Sequence, residues 1–161
     1  MKKVSAVLVF ALFLLVSNHY TYGQTILIRP SSSIGYCSAS DIKGLSHTYG
    51  LKILLMANEF QRYGIKIDHF NTLADDKHSY LSTGLFLEQI LFNHFNMGIG
   101  TVGYINTIQR GENPFGLYSH LGFEYNFNKL FGFVAAYQSE FIFRKSFTTN
   151  KALLLEIGFK F

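Results

Sequence analysis

The last eleven residues, 151–161, alternate between two kinds of side chain and end on an aromatic residue. In an extended chain, one face would carry large apolar groups and the other small or charged groups, namely Leu153, Leu155, Ile157, Phe159 and Phe161 against Ala152, Glu156, Gly158 and Lys160. A period of two residues is that of a β-strand whose two faces meet different surroundings. The segment therefore predicts a sheet with one apolar and one polar environment.

The amino terminus predicts export from the cytoplasm. Residues 1–3 are a cationic start, residues 4–16 are an apolar run, and residues 17–23 are small and polar. This is the order of regions in a secretory signal peptide. The apolar run is shorter than the roughly 20 residues that a membrane-spanning helix needs. We therefore expect residues 1–23 to be a signal peptide and residues 24–161 to form one domain.

Aromatic and small residues dominate the composition. The chain has 17 Phe, 10 Tyr and 14 Gly, whereas Lys, Arg, Asp and Glu together make up 15%. This composition favours a strand-rich envelope protein over a soluble helical domain. Cys37 is the only cysteine, which excludes an intramolecular disulfide framework. The net charge of +4 is not gathered into a basic stripe, which argues against binding of nucleic acid.

The same alternation recurs along the chain and predicts eight strands in all. Seven precede the terminal strand, near 32–38, 48–56, 62–68, 80–88, 95–108, 115–127 and 131–144. Residues 25–30 are assigned to a lead-in that ends at Pro30, because proline cannot donate a hydrogen bond to a ladder. The terminal strand is expected to close a barrel by pairing antiparallel with the first strand.

The connections alternate in length. Short turns are predicted at 58–61, 92–94 and 126–129, and longer polar loops at 39–47, 71–78, 109–114 and 145–150. Short turns on one side and longer loops on the other are typical of barrels in the bacterial outer membrane.

The two faces of the predicted strands differ in a way that separates a membrane barrel from a soluble one. A soluble sandwich or lipocalin-like barrel would turn its apolar face inward. Here the second face gathers charges, which in a closed interior must be paired. The predicted interior polar network comprises Lys52, Arg62, Lys66, Asp68, Glu88, His120, Glu124, Glu140, Arg144, Glu156 and Lys160. The sequence therefore predicts an all-β, eight-stranded, antiparallel up-and-down transmembrane barrel whose apolar face meets lipid.

Aromatic residues near the strand ends are expected to form two girdles at the membrane interfaces. They are Tyr49, Tyr63, Phe95, Phe115, Tyr125, Phe127, Phe131, Phe143 and Phe161.

Two resemblances to known proteins follow from these residues. The ending with Gly158, Phe159 and Phe161 resembles the carboxyl-terminal signal by which outer-membrane barrels are recognised for insertion, and the whole domain resembles the small eight-stranded barrels of the OmpA/OmpX type. A narrower resemblance, to the TraO-like conjugal transfer proteins, is carried by the motifs at 98–104 and 122–125 and by the ending 157–161.

Catalytic and metal sites find little support in the sequence. A lipid A-modifying enzyme, as in the outer-membrane deacylases, would need a serine, a histidine and a carboxylate close together. Ser119 and His120 are neighbours on a strand and point to opposite faces, and Glu124 is about 13 Å from His120 at ~3.3 Å per residue. The histidines lack close ligand spacing, and Asp75-Asp76 is expected to be a solvated loop pair. No cofactor or metal is predicted.

The sequence therefore predicts a non-enzymatic protein of the Gram-negative outer membrane, with a structural or interaction role exerted through its outer loops. The expected partners are outer-membrane lipid and lipopolysaccharide, the barrel-insertion machinery, and an envelope or transfer-apparatus protein. Two alternatives remain at this stage, a component of a conjugal transfer apparatus and a lipid A-modifying enzyme.

Overall fold

The computed structural model describes residues 25–38, 43–73, 79–92, 94–107, 113–143 and 148–161, and within them the chain forms a closed antiparallel barrel of eight strands. The strands are β1 Ile26–Ser38, β2 Lys43–Met56, β3 Gln61–Thr72, β4 Ser79–Leu91, β5 Phe95–Asn106, β6 Phe115–Asn126, β7 Phe131–Phe143 and β8 Thr148–Lys160. The predicted fold class is confirmed. The predicted signal peptide, residues 1–23, lies outside the described residues. In the described part of the chain there is no helix long and apolar enough to cross a membrane.

Alternation of side chains determines which residues face inward. In β8 every even-numbered residue from Thr148 to Gly158 is buried, whereas Leu153, Leu155 and Ile157 are about half exposed or more. An antiparallel sheet curled into a barrel encloses one face of each strand and leaves the other outside. The apolar face predicted for the terminal strand is therefore the outer wall.

The register fixes the tilt of the strands. A path along paired residues from Leu27 passes through Leu54, Gly64, Phe86, Gly100, Tyr118 and Glu140 and arrives at Asn150. Leu27 itself pairs with Lys160, ten residues beyond Asn150 on the same strand. A stagger of ten residues over eight strands corresponds to a tilt of about 40° and a rise of about 2.5 Å per residue along the barrel axis.

The predicted start of the first strand was wrong. β1 begins at Ile26 and runs through Pro30, which is exposed on the outer wall. Ile26 and Phe161 exchange two backbone hydrogen bonds, and since alternate residues of a strand face the same neighbour, the Pro30 nitrogen faces β8. The β1–β8 pairing is interrupted at residues 29 and 30 and resumes at Ser31. The barrel therefore tolerates Pro30 by giving up ladder contacts at one point of its closing seam.

Three predicted loops at the end opposite the chain termini were too long. β2 begins at Lys43, five residues before the predicted start at Thr48, β3 continues to Thr72, and β8 begins at Thr148. The outward residues at this end include His47 and Asn71. Both faces therefore carry polar residues there, although the strands remain paired. Strands of 12 to 14 residues are longer than the ~9 to 11 residues that cross a bilayer.

Two of the short turns share one device. Asn58 Oδ1 accepts hydrogen bonds from the backbone N–H groups of Phe60 and Gln61, both at 2.8 Å. Asn128 does the same in the turn between β6 and β7, where it accepts from the N–H groups of Leu130 and Phe131 at 2.8 Å. An asparagine side chain that caps its own turn fixes the hairpin register, so these turns align the inward faces of the strands they join.

The outer wall is apolar over a height that fits a membrane. Exposed aromatic residues form two girdles on this wall. The inner girdle, near the short turns, contains Phe95, Phe123, Tyr125 and Phe159, and the outer girdle, near the opposite end, contains Tyr36, Phe115, Phe141 and Phe143. At a rise of about 2.5 Å per residue the two girdles are about 25 Å apart, which is the height of the apolar band of outer-membrane barrels.

Candidate functional site

The larger of two ion clusters lies inside the barrel toward the short-turn end and is centred on Arg29. Arg29 contacts Glu88 at 2.8 Å, Glu124 at 2.7 Å and Glu156 at 3.4 Å. Arg62 contacts Glu88 at 2.7 Å and Glu124 at 2.5 Å. All five side chains are at most 4% exposed. Two planar guanidinium groups thus hold three carboxylates from three different strands, a geometry that arginine serves better than lysine.

A chain of polar contacts connects this cluster to the middle of the barrel. Lys52 is ion-paired with Glu156, and its Nζ donates to the Tyr118 hydroxyl at 2.7 Å. The Tyr118 hydroxyl lies 2.8 Å from His120 Nδ1, and His120 Nε2 lies 3.3 Å from Glu88. The buried histidine is therefore a member of the interior network rather than an isolated group.

The second cluster is built around Lys66. Its Nζ contacts Asp68 at 2.9 Å and Glu140 at 2.7 Å, and it lies 4.1 Å from the centre of the Tyr118 ring. Asn150 donates to the other oxygen of Glu140 at 3.4 Å. Carboxylates on two sides and an aromatic face on a third compensate this buried ammonium group for its lost hydration.

Glycines make room for these groups. A Cβ at Gly98 would collide with the imidazole ring of His120, and one at Gly64 would lie 2.8 Å from the Phe86 ring. Two of the glycines predicted to line the interior thus stand opposite bulky ring side chains. Their motif at 98–103 serves packing in a strand, since β5 contains it and no helix follows.

The opposite end of the interior is aromatic. Phe70, Tyr80 and Tyr104 are each at most 7% exposed, and Tyr80 and Tyr104 meet edge to face at 6.3 Å. With Cys37 and Ile142 they surround a cavity of about 10 Å³, which is about the room that one water molecule needs. The interior is therefore stratified, with ions toward the short turns and an aromatic plug toward the longer connections.

The structure places nine of the eleven residues of the predicted interior network inside the barrel, in the two clusters and the chain between them. Lys160 lies instead at the short-turn rim, where its Nζ donates to Asn126 at 3.0 Å. Arg144 lies outside the described residues. Sequence reasoning missed Arg29, although its position between Leu27 and Ser31 fits the two-residue period once the strand is allowed to pass Pro30.

The catalytic candidates do not form a site. Ser119 faces outward, with its hydroxyl 3.5 Å from the Ser139 carbonyl, while His120 is buried inside. The Glu124 carboxylate is bound by Arg29 and Arg62. A nucleophile, base and orienting acid must lie within hydrogen-bond reach of each other, and these three residues do not.

A different serine and histidine do meet, on the outer wall. Ser32 Oγ lies 3.2 Å from His47 Nε2, across the β1–β2 pair and close to the outer aromatic girdle. Among the described residues no carboxylate orients His47. Its ladder partner on β1 is Ile34, and the Tyr49 ring lies tilted beside it at 5.8 Å between ring centres.

Metal ligands do not converge in the described part of the chain, where no three His, Cys, Asp or Glu side chains are arranged to hold an ion. His19, His78 and the pair Asp75-Asp76 lie outside it. Cys37 is buried at the aromatic end and is not part of a disulfide.

Solved structures with the same architecture include surface protein A of Neisseria (NspA), with a TM-score of 0.70 and 13% identity over 87% of this chain and 100% of that one. The chain is an eight-stranded β-barrel of the outer-membrane type. Ail, the attachment invasion locus protein of Yersinia pestis, gives a TM-score of 0.58 at 13% identity, covering 87% of this chain and 100% of Ail. The N-terminal β-barrel domain of OprF from Pseudomonas aeruginosa gives 0.57 at 14% identity, covering 85% and 97%.

These likenesses show the fold, because the sequence identities are low. No protein-family model matches the chain, and no curated protein matches it. The resemblance to OmpA/OmpX-like barrels is confirmed at the level of the fold, and the narrower resemblance to TraO-like transfer proteins is unsupported.

Proposed function

We propose that this chain is an integral protein of the Gram-negative outer membrane that acts as a structural or interaction protein, without a conducting pore and without catalysis. The observation that carries the proposal is the combination of a lipid-level apolar wall with an interior filled by paired ions. The described interior buries five carboxylates and four cations, Asp68, Glu88, Glu124, Glu140 and Glu156 with Arg29, Lys52, Arg62 and Lys66. A soluble barrel would have these two faces exchanged.

The filled bore argues against solute transport. Eight strands enclose a space just wide enough for side chains, and here it holds two arginines, two lysines and a plug of aromatic rings. Moving a solute through it would require Arg29 and Arg62 to leave three carboxylates, and breaking such buried pairs is costly. The network thus serves as a stabilising core, in place of the hydrocarbon core of a soluble protein.

An interaction role is supported by the arrangement of the outer end. The strands there are joined by the connections 39–42, 73–78, 107–114 and 144–147, which are four to eight residues long. A partner would therefore meet the rim of the barrel together with the loops. The name of Ail refers to attachment and invasion, and recognition of a surface by the outer end is the corresponding role that we propose for this chain.

We propose that the aromatic residues at the carboxyl terminus act as the signal for insertion of the barrel into the outer membrane. Phe161 is 74% exposed at the short-turn end, and its backbone pairs with Ile26 to close the barrel. We expect Phe161→Ala to reduce the fraction of protein inserted in cells while leaving refolding into detergent unchanged. Equal insertion of the variant and the wild type would contradict the role of Phe161 as a signal.

The proposal as a whole is tested by reconstitution and lipid analysis. We expect the purified full chain to insert into planar bilayers without raising conductance above that of empty bilayers, with a large porin as the positive control. Outer-membrane lipid A should keep its mass when the gene is expressed. Stable channel openings would establish a pore, and loss of an acyl chain would establish an enzyme; either result would overturn the proposal.

A further inference from the structure

The two ion clusters inside the barrel differ in their balance of charge. With Lys52 included, the larger cluster pairs three cations with three carboxylates, namely Arg29, Lys52 and Arg62 with Glu88, Glu124 and Glu156. The second cluster holds one cation, Lys66, between two carboxylates, Asp68 and Glu140. A buried charge is costly unless an opposite charge compensates it. Among the described residues the interior is therefore one positive charge short, and the deficit lies at the second cluster.

Unpartnered oxygen atoms mark the place where that charge is missing. Asp68 Oδ2 contacts Lys66 Nζ at 2.9 Å, whereas Asp68 Oδ1 has no hydrogen-bond partner among the described residues. The hydroxyl oxygens Thr48 Oγ1 and Ser33 Oγ lack one too. All three residues are at most 6% exposed. Buried polar atoms nearly always have a partner, so three orphaned oxygens indicate a ligand that they share.

The register of the sheet brings these three oxygens together. Ser33 pairs with Thr48 across β1 and β2, which places their inward Cβ atoms about 5 Å apart. Asp68 pairs with Gly50, and a Cβ at Gly50 would collide with Asp68 Oδ1. The carboxylate therefore lies over β2, one inward position from Thr48.

The spacing of the oxygens suits an atom bound between them. Two residues along a strand span about 6.6 Å, so Thr48 Oγ1 and Asp68 Oδ1 are roughly 5 Å apart, too far for a direct hydrogen bond. Lys66 lies two residues from Asp68 toward the short-turn end of β3, whereas Thr48 lies toward the opposite end. The ammonium group and the space between the oxygens are thus on different sides of the carboxylate.

We propose that Asp68, Thr48 and Ser33 bind a small monovalent cation such as sodium. Carboxylate and hydroxyl groups supply hard oxygen ligands, which suit cations of this kind better than transition metals. A deficit of one charge selects a monovalent ion, because a divalent ion would leave a surplus positive charge near Lys66. Two of the three ligands are hydroxyls, so the set differs from the groups of His, Cys, Asp and Glu that hold transition metals.

The surroundings of this site determine how the cation enters. The aromatic plug lies on one side of it and the arginine cluster on the other, and both are buried. The cation therefore enters as the barrel forms and leaves as it unfolds. A ligand that binds only the folded state stabilises that state by mass action, so the unfolding equilibrium should depend on the cation in solution.

The test uses the refolded full chain in phospholipid bilayers, unfolded in urea in sodium chloride or in choline chloride at equal ionic strength. Choline has the same charge but is too large for the site. We expect the equilibrium constant for unfolding to be about tenfold smaller in sodium chloride, as for an ion at about ten times its dissociation constant. Thr48→Val removes one ligand oxygen and Asp68→Asn removes the surplus charge, so each should abolish the difference between the salts. The matched control is Thr148→Val, which changes another buried, inward threonine and should keep the tenfold ratio.

Two results would overturn the proposal. Equal unfolding constants of the wild type in the two salts would show that a water molecule or a proton serves these oxygens. A sodium dependence that persists in Thr48→Val and Asp68→Asn would show that the ion acts elsewhere, for example on the lipid headgroups. Heat-modifiable mobility shows whether each variant has formed the barrel. If Thr48→Val does not fold, Ser33→Ala removes another ligand oxygen and gives the same comparison.

Discussion

At the scale of single residues, the side chain that connects most of the interior is Arg29. Its guanidinium contacts carboxylates on β4, β6 and β8, so one side chain from the first strand reaches three strands across the bore. Replacing it leaves three buried carboxylates with fewer partners, and an uncompensated buried charge is strongly destabilising.

We expect Arg29→Met to lower the free energy of unfolding by about 3–5 kcal/mol. Because the chain contains no tryptophan, unfolding in urea is best followed by far-UV circular dichroism of the lipid-bound protein. Lys160→Met is the control, since Lys160 is partly exposed at the rim and its loss should cost less than about 1 kcal/mol. Equal losses for the two variants would contradict the central place of Arg29.

A second prediction concerns the outward face. Leu121 is 55% exposed and lies between the two aromatic girdles, two residues from Phe123 and six from Phe115 on β6. Leu121→Arg should lower the free energy of unfolding in bilayers by about 2–4 kcal/mol, whereas Leu45→Arg, near the outer interface, should cost about 0–1 kcal/mol. Similar costs at the two depths would show that the wall does not meet hydrocarbon as described.

At the scale of elements, the closing seam between β1 and β8 is the ladder whose pairing is interrupted within its length. Its pairing is interrupted opposite Pro30, at residues 157 and 158 of β8. Pro30 has no N–H to donate to the Ile157 carbonyl, so the seam lacks one ladder hydrogen bond at this point. A ladder with a missing hydrogen bond opens locally more readily, which exposes the neighbouring amides to exchange.

We therefore expect the Ile157 amide to exchange faster than the amides of Leu155 and Phe159, measured by hydrogen–deuterium exchange with NMR on the bilayer-embedded barrel. Pro30→Val restores the N–H that donates to the Ile157 carbonyl, which should reduce local opening and slow exchange at Ile157. Uniform protection along β8 in the wild type would mean that the seam is continuous and Pro30 causes no local opening.

The extent to which the fold follows from the sequence differs along these elements. Where outward residues are apolar and inward residues are polar, as in β6 and β8, the two-residue period predicts the strand and its faces correctly. Sequence reasoning failed at Pro30, because the cost of one lost hydrogen bond is small beside the gain from closing a barrel, a balance that no local pattern reveals. Arg29 was missed for the same reason.

The other failures have one physical cause. His47 and Asn71 lie on the outer wall of strands but were predicted in loops, because the rule that the outer face is apolar holds only at the depth of the hydrocarbon. The partners of the buried ions also could not be predicted. The sequence indicates that Glu88 faces inward, but its contacts with Arg29 and Arg62 depend on a stagger of ten residues around the whole barrel.

At the scale of the whole molecule, three properties act together. They are the closed sheet, the stagger of ten residues, and a wall that is apolar outside and polar inside. The barrel has no free sheet edge among its eight strands, so every strand has two hydrogen-bonded neighbours, as a membrane-spanning sheet requires. Ion pairs from different strands then lock the interior. These properties imply that the folded barrel should resist detergent until it is heated.

The folded barrel and its location in the outer membrane are tested most directly by the electrophoretic mobility of the full chain with and without boiling, combined with fractionation of the cell envelope. We expect the unboiled protein to migrate as a compact form, to shift after boiling, and to be found in the outer-membrane fraction. A soluble periplasmic protein with the same mobility before and after heating would contradict the account.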